Sequence, residues 1–153
     1  MKVAFIGGGN MAGALISGMR DSGFGADAIQ VLEIDQARGD ELARRHQINV
    51  HTQSGPWLST AEAVVLAVKP QQMQQAATSI KSDLARPLVL SIAAGVRATQ
   101  IAGWLGTRAV VRAMPNMPAL IRAGISGAVA LADVSAEQRS AADRILSAVG
   151  SVI

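Results

Sequence analysis

Lys2-Val3-Ala4-Phe5-Ile6-Gly7-Gly8-Gly9-Asn10-Met11-Ala12 is the stretch that decides the fold. Residues 2–6 form an apolar run of strand length, and three glycines break it at once. From Met11 to Met19 the apolar residues recur at helical spacing. The order is therefore strand, glycine turn, helix, with Gly7, Gly9 and Ala12 in the pattern G-x-G-x-x-A. Each position has a physical reason. Gly7 permits a tight turn, Gly9 keeps a side chain away from an approaching pyrophosphate, and Ala12 lets the helix pack close to the sheet. The helix that follows presents free N–H groups and partial positive charge to phosphate. This segment predicts a dinucleotide-binding turn.

Outward from it, apolar runs and helical patterns alternate to the end of the chain. Residues 29–33 read as a second strand, and residues 35–46 as a charged, exposed helix with Leu42 and Ala43 turned inward. Residues 48–51 fit a short third strand. Residues 63–68 are a continuous apolar run, as expected of a parallel strand buried on both faces, and residues 88–92 and 109–113 repeat the pattern with one polar residue each. Ser135-Ala136-Glu137-Gln138 has capping-box spacing and opens a helix running through Val149. Alternation of this kind predicts an α/β fold: a Rossmann-type, doubly wound, mostly parallel sheet with helices on both faces. Gly150 reads as a helix terminator and Ser151-Val152-Ile153 as the opening of a further strand. Residues 1–153 are thus expected to be one dinucleotide-binding domain of a longer protein.

Composition narrows the function. Half of the 153 residues are apolar, 16% are charged and 3% are aromatic, which excludes a disordered chain. The net charge is +3, but Arg44-Arg45 is the only adjacent basic pair and no aromatics interleave it. That pattern lacks the clustered basic face nucleic acid requires, so no nucleic-acid partner is expected. With no cysteine, disulfides and thiolate chemistry are excluded, which fits a reducing, cytoplasmic setting. No segment reaches the ~20 apolar residues of a membrane helix, and no metal site is expected.

At the end of the second strand, Glu33 and Asp35 stand where an acidic side chain hydrogen-bonds the adenosine ribose, which favours NAD. One turn on, Arg38 offers a guanidinium to the 2′-phosphate of NADP. Asp35 also suits the N-cap of the following helix. The choice between NADP and NAD stays open on these residues. His46 and His51 lie around the third strand, far from the expected nicotinamide end, and read as surface residues.

Three later segments go beyond a generic dinucleotide fold: Val65-Leu66-Ala67-Val68-Lys69-Pro70-Gln71, Ser91-Ile92-Ala93-Ala94-Gly95-Val96, and Val111-Arg112-Ala113-Met114-Pro115-Asn116-Met117-Pro118-Ala119. In this order behind the glycine turn, they resemble the pyrroline-5-carboxylate reductase family along essentially the whole chain. The family more often carries Thr where this chain has Met117. In an open parallel sheet the ligand lies outside the carboxyl ends of the strands, where Lys69-Pro70, Ala93-Ala94-Gly95 and Met114-Pro115-Asn116 all fall. Small residues there admit a ribose or nicotinamide to the backbone, and Lys69 reaches toward a ribose hydroxyl. The resemblance implies cofactor contacts from Ala67, Val68, Lys69 and Pro70, from Ile92, Ala93 and Ala94, and from Ser54 on the adenosine side. With Asn116, with Ile6, Gly7, Gly8, Gly9, Asn10, Met11 and Ala12 of the turn, and with Glu33 and Asp35, these make up the candidate site.

The resemblance further implies reduction of 1-pyrroline-5-carboxylate to L-proline by reduced NADP or NAD. A helical C-terminal domain, with no counterpart here, is implied to bind the substrate carboxylate and to form a homo-oligomer. The chain alone is then expected to hold cofactor and turn over little substrate, and no general acid can be named in it. Two alternatives stand beside this one. Another reductase of the same fold, such as a hydroxyacid dehydrogenase, shares the glycine turn but is not expected to carry both Lys69-Pro70-Gln71 and the Arg112–Asn116 segment. A non-catalytic nucleotide-sensing module is expected to close its last strand.

Overall fold

The computed structural model describes residues 1–153. Its strands and helices follow in the order β1 (Val3–Ile6), α1 (Asn10–Asp21), β2 (Ile29–Leu32), α2 (Gln36–His46), β3 (Asn49–His51), β4 (Ala63–Leu66), α3 (Met73–Ile80) and β5 (Leu88–Ser91). After these come α4 (Ala98–Leu105), β6 (Val110–Pro115), β7 (Gly124–Ala130), α5 (Ala136–Leu146) and β8 (Gly150–Val152). All eight strands join one sheet in the order β3-β2-β1-β4-β5-β6-β7-β8. Every pairing is parallel except β6 with β7. The chain winds outward from β1 to β3, then returns to the other side of β1 at β4. That reversal is the switch point at which open sheets of this class bind ligands.

Residue alternation along the strands builds two cores. Val3 and Phe5 of β1 face α1, α2 and α5, where Leu15, Ile16, Met19, Leu42 and Ile145 cover them. Ala4 and Ile6 face the opposite layer, covered by Met73, Ala77 and Ile80 of α3 and by Ile101 and Leu105 of α4. Both faces are therefore apolar, which explains why β1 and β4 read as unbroken apolar runs and β5 as one up to Ser91. Capping agrees with the sequence at two helices. The Asp35 carboxylate accepts from the Arg38 amide at 3.0 Å and starts α2. Ser135 and Gln138 form a reciprocal box at the head of α5, at 3.1 and 3.0 Å.

Several boundaries differ from the sequence expectation. The strands expected over 63–68 and 88–92 end at Leu66 and Ser91, so Ala67, Val68 and Ile92 belong to the loops beyond the sheet. The strand expected over 109–113 runs on to Pro115, because β7 pairs with it as far as Pro115–Ser126. β7 itself was not expected. Gly124-Ile125-Ser126-Gly127-Ala128-Val129-Ala130 has two glycines and only small residues on its inner face, so it shows neither an apolar run nor a strong alternation. The helix expected through Val149 gives way after Leu146 to a 3-10 turn. Gly150 then opens β8, which pairs in parallel with β7.

Candidate cofactor-binding site

The carboxyl ends of β1, β2 and β4 converge on the glycine turn. Gly7 sits at φ +99°, a conformation L side chains rarely adopt, and its amide donates to the Leu32 carbonyl at 2.8 Å. A Cβ on Gly7 would lie 2.8 Å from the Ala67 carbonyl oxygen, so only glycine lets β1 and the loop after β4 approach this closely. Gly9 is different: a Cβ there would meet nothing within 4 Å. It borders a cleft of about 560 Å³ that it shares with Ile6, Gly7, Gly8, Glu33, Ile34 and Asp35. Gly9 is also the N-cap of α1, which has no capping side chain and no acidic residue in its first turn. The first amides of α1 are consequently left without a side-chain partner, as a phosphate cradle needs.

Glu33 closes the floor. It is 6% exposed. One carboxylate oxygen accepts from the Gly8 amide at 3.1 Å, the other from the Asp35 amide at 2.9 Å. The Arg38 guanidinium stands 3.4 Å from the first of these oxygens. Across the cleft lie Ala67, Val68 and Lys69, then Gln72, Gln75, Ala76 and Ser79.

Of the candidate residues, Ile6, Gly7, Gly8, Gly9, Glu33, Asp35, Ala67, Val68 and Lys69 line this cleft together. Others lie outside it. Asn10 borders a second groove of about 640 Å³ with Arg38, Arg45, His46 and Arg122. Met11 packs against the core and Ala12 is within it, the close helix–sheet contact the motif calls for. Ser54 donates to the carbonyl of Ser79, so it holds the cleft wall from behind at 3.3 Å. Pro70 is an exposed first residue of a 3-10 turn. Ile92 is half-buried, Ala93 buried and Ala94 exposed in the loop after β5. Asn116 accepts from the Ile125 amide at 2.9 Å and ties the end of β6 to β7.

Sequence reasoning missed Ile34 and the α3 wall. Ile34 is 78% exposed at the rim, an apolar plate where an aromatic base can lie. Gln72, Gln75, Ala76 and Ser79 recur at three- and four-residue steps, the signature of one helix face, and that spacing was the available signal.

The histidines need correction. His46 is not a surface residue: it is 9% exposed, because the last turn of α2 packs toward α1, where Arg20 Nε donates to its carbonyl at 3.2 Å. Burial lowers its pKa below 6.5, with Arg45 and Arg20 adding to the shift and Asp21 opposing it. His51 is half-buried, stacked on Trp57 at 4.0 Å and bonded through Nε2 to Gln30 at 2.8 Å. Its pKa is also lowered by burial.

No helix is long and apolar enough to cross a membrane. Residues 2–95 match the family described as NADP oxidoreductase coenzyme F420-dependent. Pyrroline-5-carboxylate reductase of Pseudomonas aeruginosa is 42% identical over 151 residues, which cover 97% of this chain and 55% of that protein. The Synechocystis reductase of the same name is 35% identical, over 100% of this chain and 58% of its own length. Among solved structures, a pyrroline-5-carboxylate reductase from Coxiella burnetii superposes with a TM-score of 0.94 at 36% identity, over 99% of this chain and 57% of that one. This chain thus spans little more than half the length of the relatives it matches. It belongs to the family of NADP oxidoreductases described as coenzyme F420-dependent, and over nearly all its length it is similar to pyrroline-5-carboxylate reductases.

Proposed function

We propose that residues 1–153 form the dinucleotide-binding part of a cytoplasmic pyrroline-5-carboxylate reductase, which reduces 1-pyrroline-5-carboxylate to L-proline with NADPH or NADH. One observation carries the reading. A tight glycine turn at the sheet's switch point opens onto a cleft at which a Cβ on Gly9 would meet no protein atom within 4 Å and the first amides of α1 have no side-chain cap. Those features fit a pyrophosphate. The similarity to reductases of that name supplies the substrate class.

Bound there, a reduced nicotinamide would supply the hydride that C5 of the cyclic imine, protonated at nitrogen, accepts. The chain's own residues bind and orient. Gly9 and the head of α1 hold the pyrophosphate beside Gly8, whose amide stays on Glu33, while Glu33 and Ile34 take the adenosine end. Lys69 reaches a ribose hydroxyl from the opposite wall. Ala93, Ala94 and Asn116, beyond β5 and β6, border the nicotinamide end, where small side chains admit the ring. Orientation carries most of the rate, since the reacting carbons must be held about 3–3.5 Å apart. Substrate-carboxylate binding and homo-oligomer formation are assigned to a helical domain in the remainder of the longer relatives.

Titration of the chain with each reduced nucleotide, followed by addition of 1-pyrroline-5-carboxylate, tests this division. One saturable site with little or no proline formed is the expected result. Failure to bind either nucleotide would overturn the cofactor reading, and rapid proline formation would overturn the assignment of substrate binding to another domain.

A further inference from the structure

We infer that this cleft takes NADH in preference to NADPH, and that Glu33 sets the preference. The inference rests on the cofactor reading above and adds to it which nucleotide the site selects. It runs against the NADP in the family's description.

The two nucleotides differ by one 2′-phosphate on the adenosine ribose. That group falls just beyond the end of β2, among Glu33, Ile34, Asp35 and Arg38. An NADPH site there needs cations free to pair with a dianion. This rim offers two carboxylates, Glu33 and Asp35, and one guanidinium, Arg38. Neither carboxylate can swing aside without cost. Glu33 is held by the amides of Gly8 and Asp35, and Asp35 caps α2 through the Arg38 amide. Removing either leaves backbone donors orphaned.

Arg38 is partly engaged. Its Nη1 lies 3.4 Å from Glu33, and turning the whole guanidinium toward a phosphate would strip that partner from a carboxylate that is 6% exposed. The phosphate would then face Glu33 directly, and like charges at such range oppose binding. Ribose hydroxyls suit the same rim well. They are donors, and a carboxylate oxygen that accepts one amide keeps lone pairs to accept another. Ile34 offers only a hydrocarbon side chain at the position between the two acids, so on this side of the cleft Arg38 is the one cation beside them.

Calorimetric titration of the wild-type chain with NADH and with NADPH reads the preference without any variant. The expected result is NADH binding tighter by at least about tenfold, the effect of roughly 1.4 kcal/mol. NADPH binding equally or more tightly would overturn the inference while leaving the cofactor reading intact. If neither nucleotide binds, both fail together. The variant Glu33→Gln then assigns the cause: the ratio of dissociation constants should fall toward one, chiefly through tighter NADPH. Circular dichroism against temperature confirms that the variant is folded. An equal loss of both nucleotides in a folded Glu33→Gln would show that Glu33 merely holds the turn, and would remove it as the selecting residue.

Discussion

The carboxylate of Glu33 accepts the amide of Gly8 across 25 residues of sequence, at 3.1 Å and out of water. It joins the end of β2 to the middle of the glycine turn. The other oxygen receives the Asp35 amide, so a single side chain satisfies donors on both sides of the cleft floor. Glu33→Ala removes both acceptors at once and leaves a buried N–H without a partner. The expected cost is about 1–3 kcal/mol in urea unfolding, more than a surface Glu→Ala change produces. A change within ~0.5 kcal/mol would mean that water replaces the carboxylate.

Gly7 is the other fixed point of the turn. Gly7→Ala must adopt φ near +99° and also place Cβ 2.8 Å from the Ala67 carbonyl oxygen, a backbone atom that cannot rotate away. Strain and overlap together should destabilise the fold by roughly 1–3 kcal/mol, and nucleotide binding should be lost even where the variant stays folded. Retained binding with unchanged affinity would show that β4 and its loop can retreat.

Much of this was legible in the sequence because it depends on local pattern. Strand, glycine turn and helix at the N-terminus each follow from a few adjacent residues, and burial on two faces writes β4 and β5 as apolar runs. Lys69 and Pro70 fall beyond β4 by the same logic, whereas Ala67 and Val68, apolar like the strand before them, read as part of it and lie in the loop. What escaped depends on contacts between distant parts. β7 forms because β6 offers it an edge, and its own residues, Gly124 and Gly127 among them, carry almost no strand signal. The α3 wall of the cleft needed the crossover geometry before Gln72, Gln75 and Ser79 could be read as lining anything. His46 escapes because a polar residue on a charged helix says nothing of what packs over its last turn.

Two glycines of α1 should respond to alanine with opposite signs. Helix propensity alone favours alanine at both by up to about 1 kcal/mol. At Gly13 a Cβ would meet nothing within 4 Å, so Gly13→Ala should stabilise the protein by close to that amount. At Gly18 the Cβ would press on the Ala148 carbonyl group, with the carbonyl carbon 2.9 Å away, where the 3-10 turn before β8 crosses the helix. Overpacking there costs ~1–3 kcal/mol and outweighs the propensity gain. Thermal unfolding of the two variants decides the matter. The same sign for both would mean that α1 does not hold this close contact.

Acid should weaken the fold through the histidines. Burial is the largest cause lowering the His46 pKa from 6.5, with Arg45 and Arg20 next, and His51 is lowered by burial as well. In the native state, therefore, both resist protonation until the pH has fallen below the value at which the unfolded chain takes it up. Between those two values the unfolded state binds more protons, so stability rises with pH through that window. Put in the direction of acidification, the loss begins near pH 6.5 and stops growing once the native histidines are themselves protonated. Urea unfolding at a series of pH values from about 8 to 5 should show this decline, in the range where histidine titrates. His46→Gln removes one of the two groups, so its profile should be shallower but not flat, the remainder belonging to His51 against Trp57 and Gln30. A wild-type profile with no decline, or a His46→Gln profile as steep as the wild type, would place the charge-sensitive contact elsewhere than under the last turn of α2.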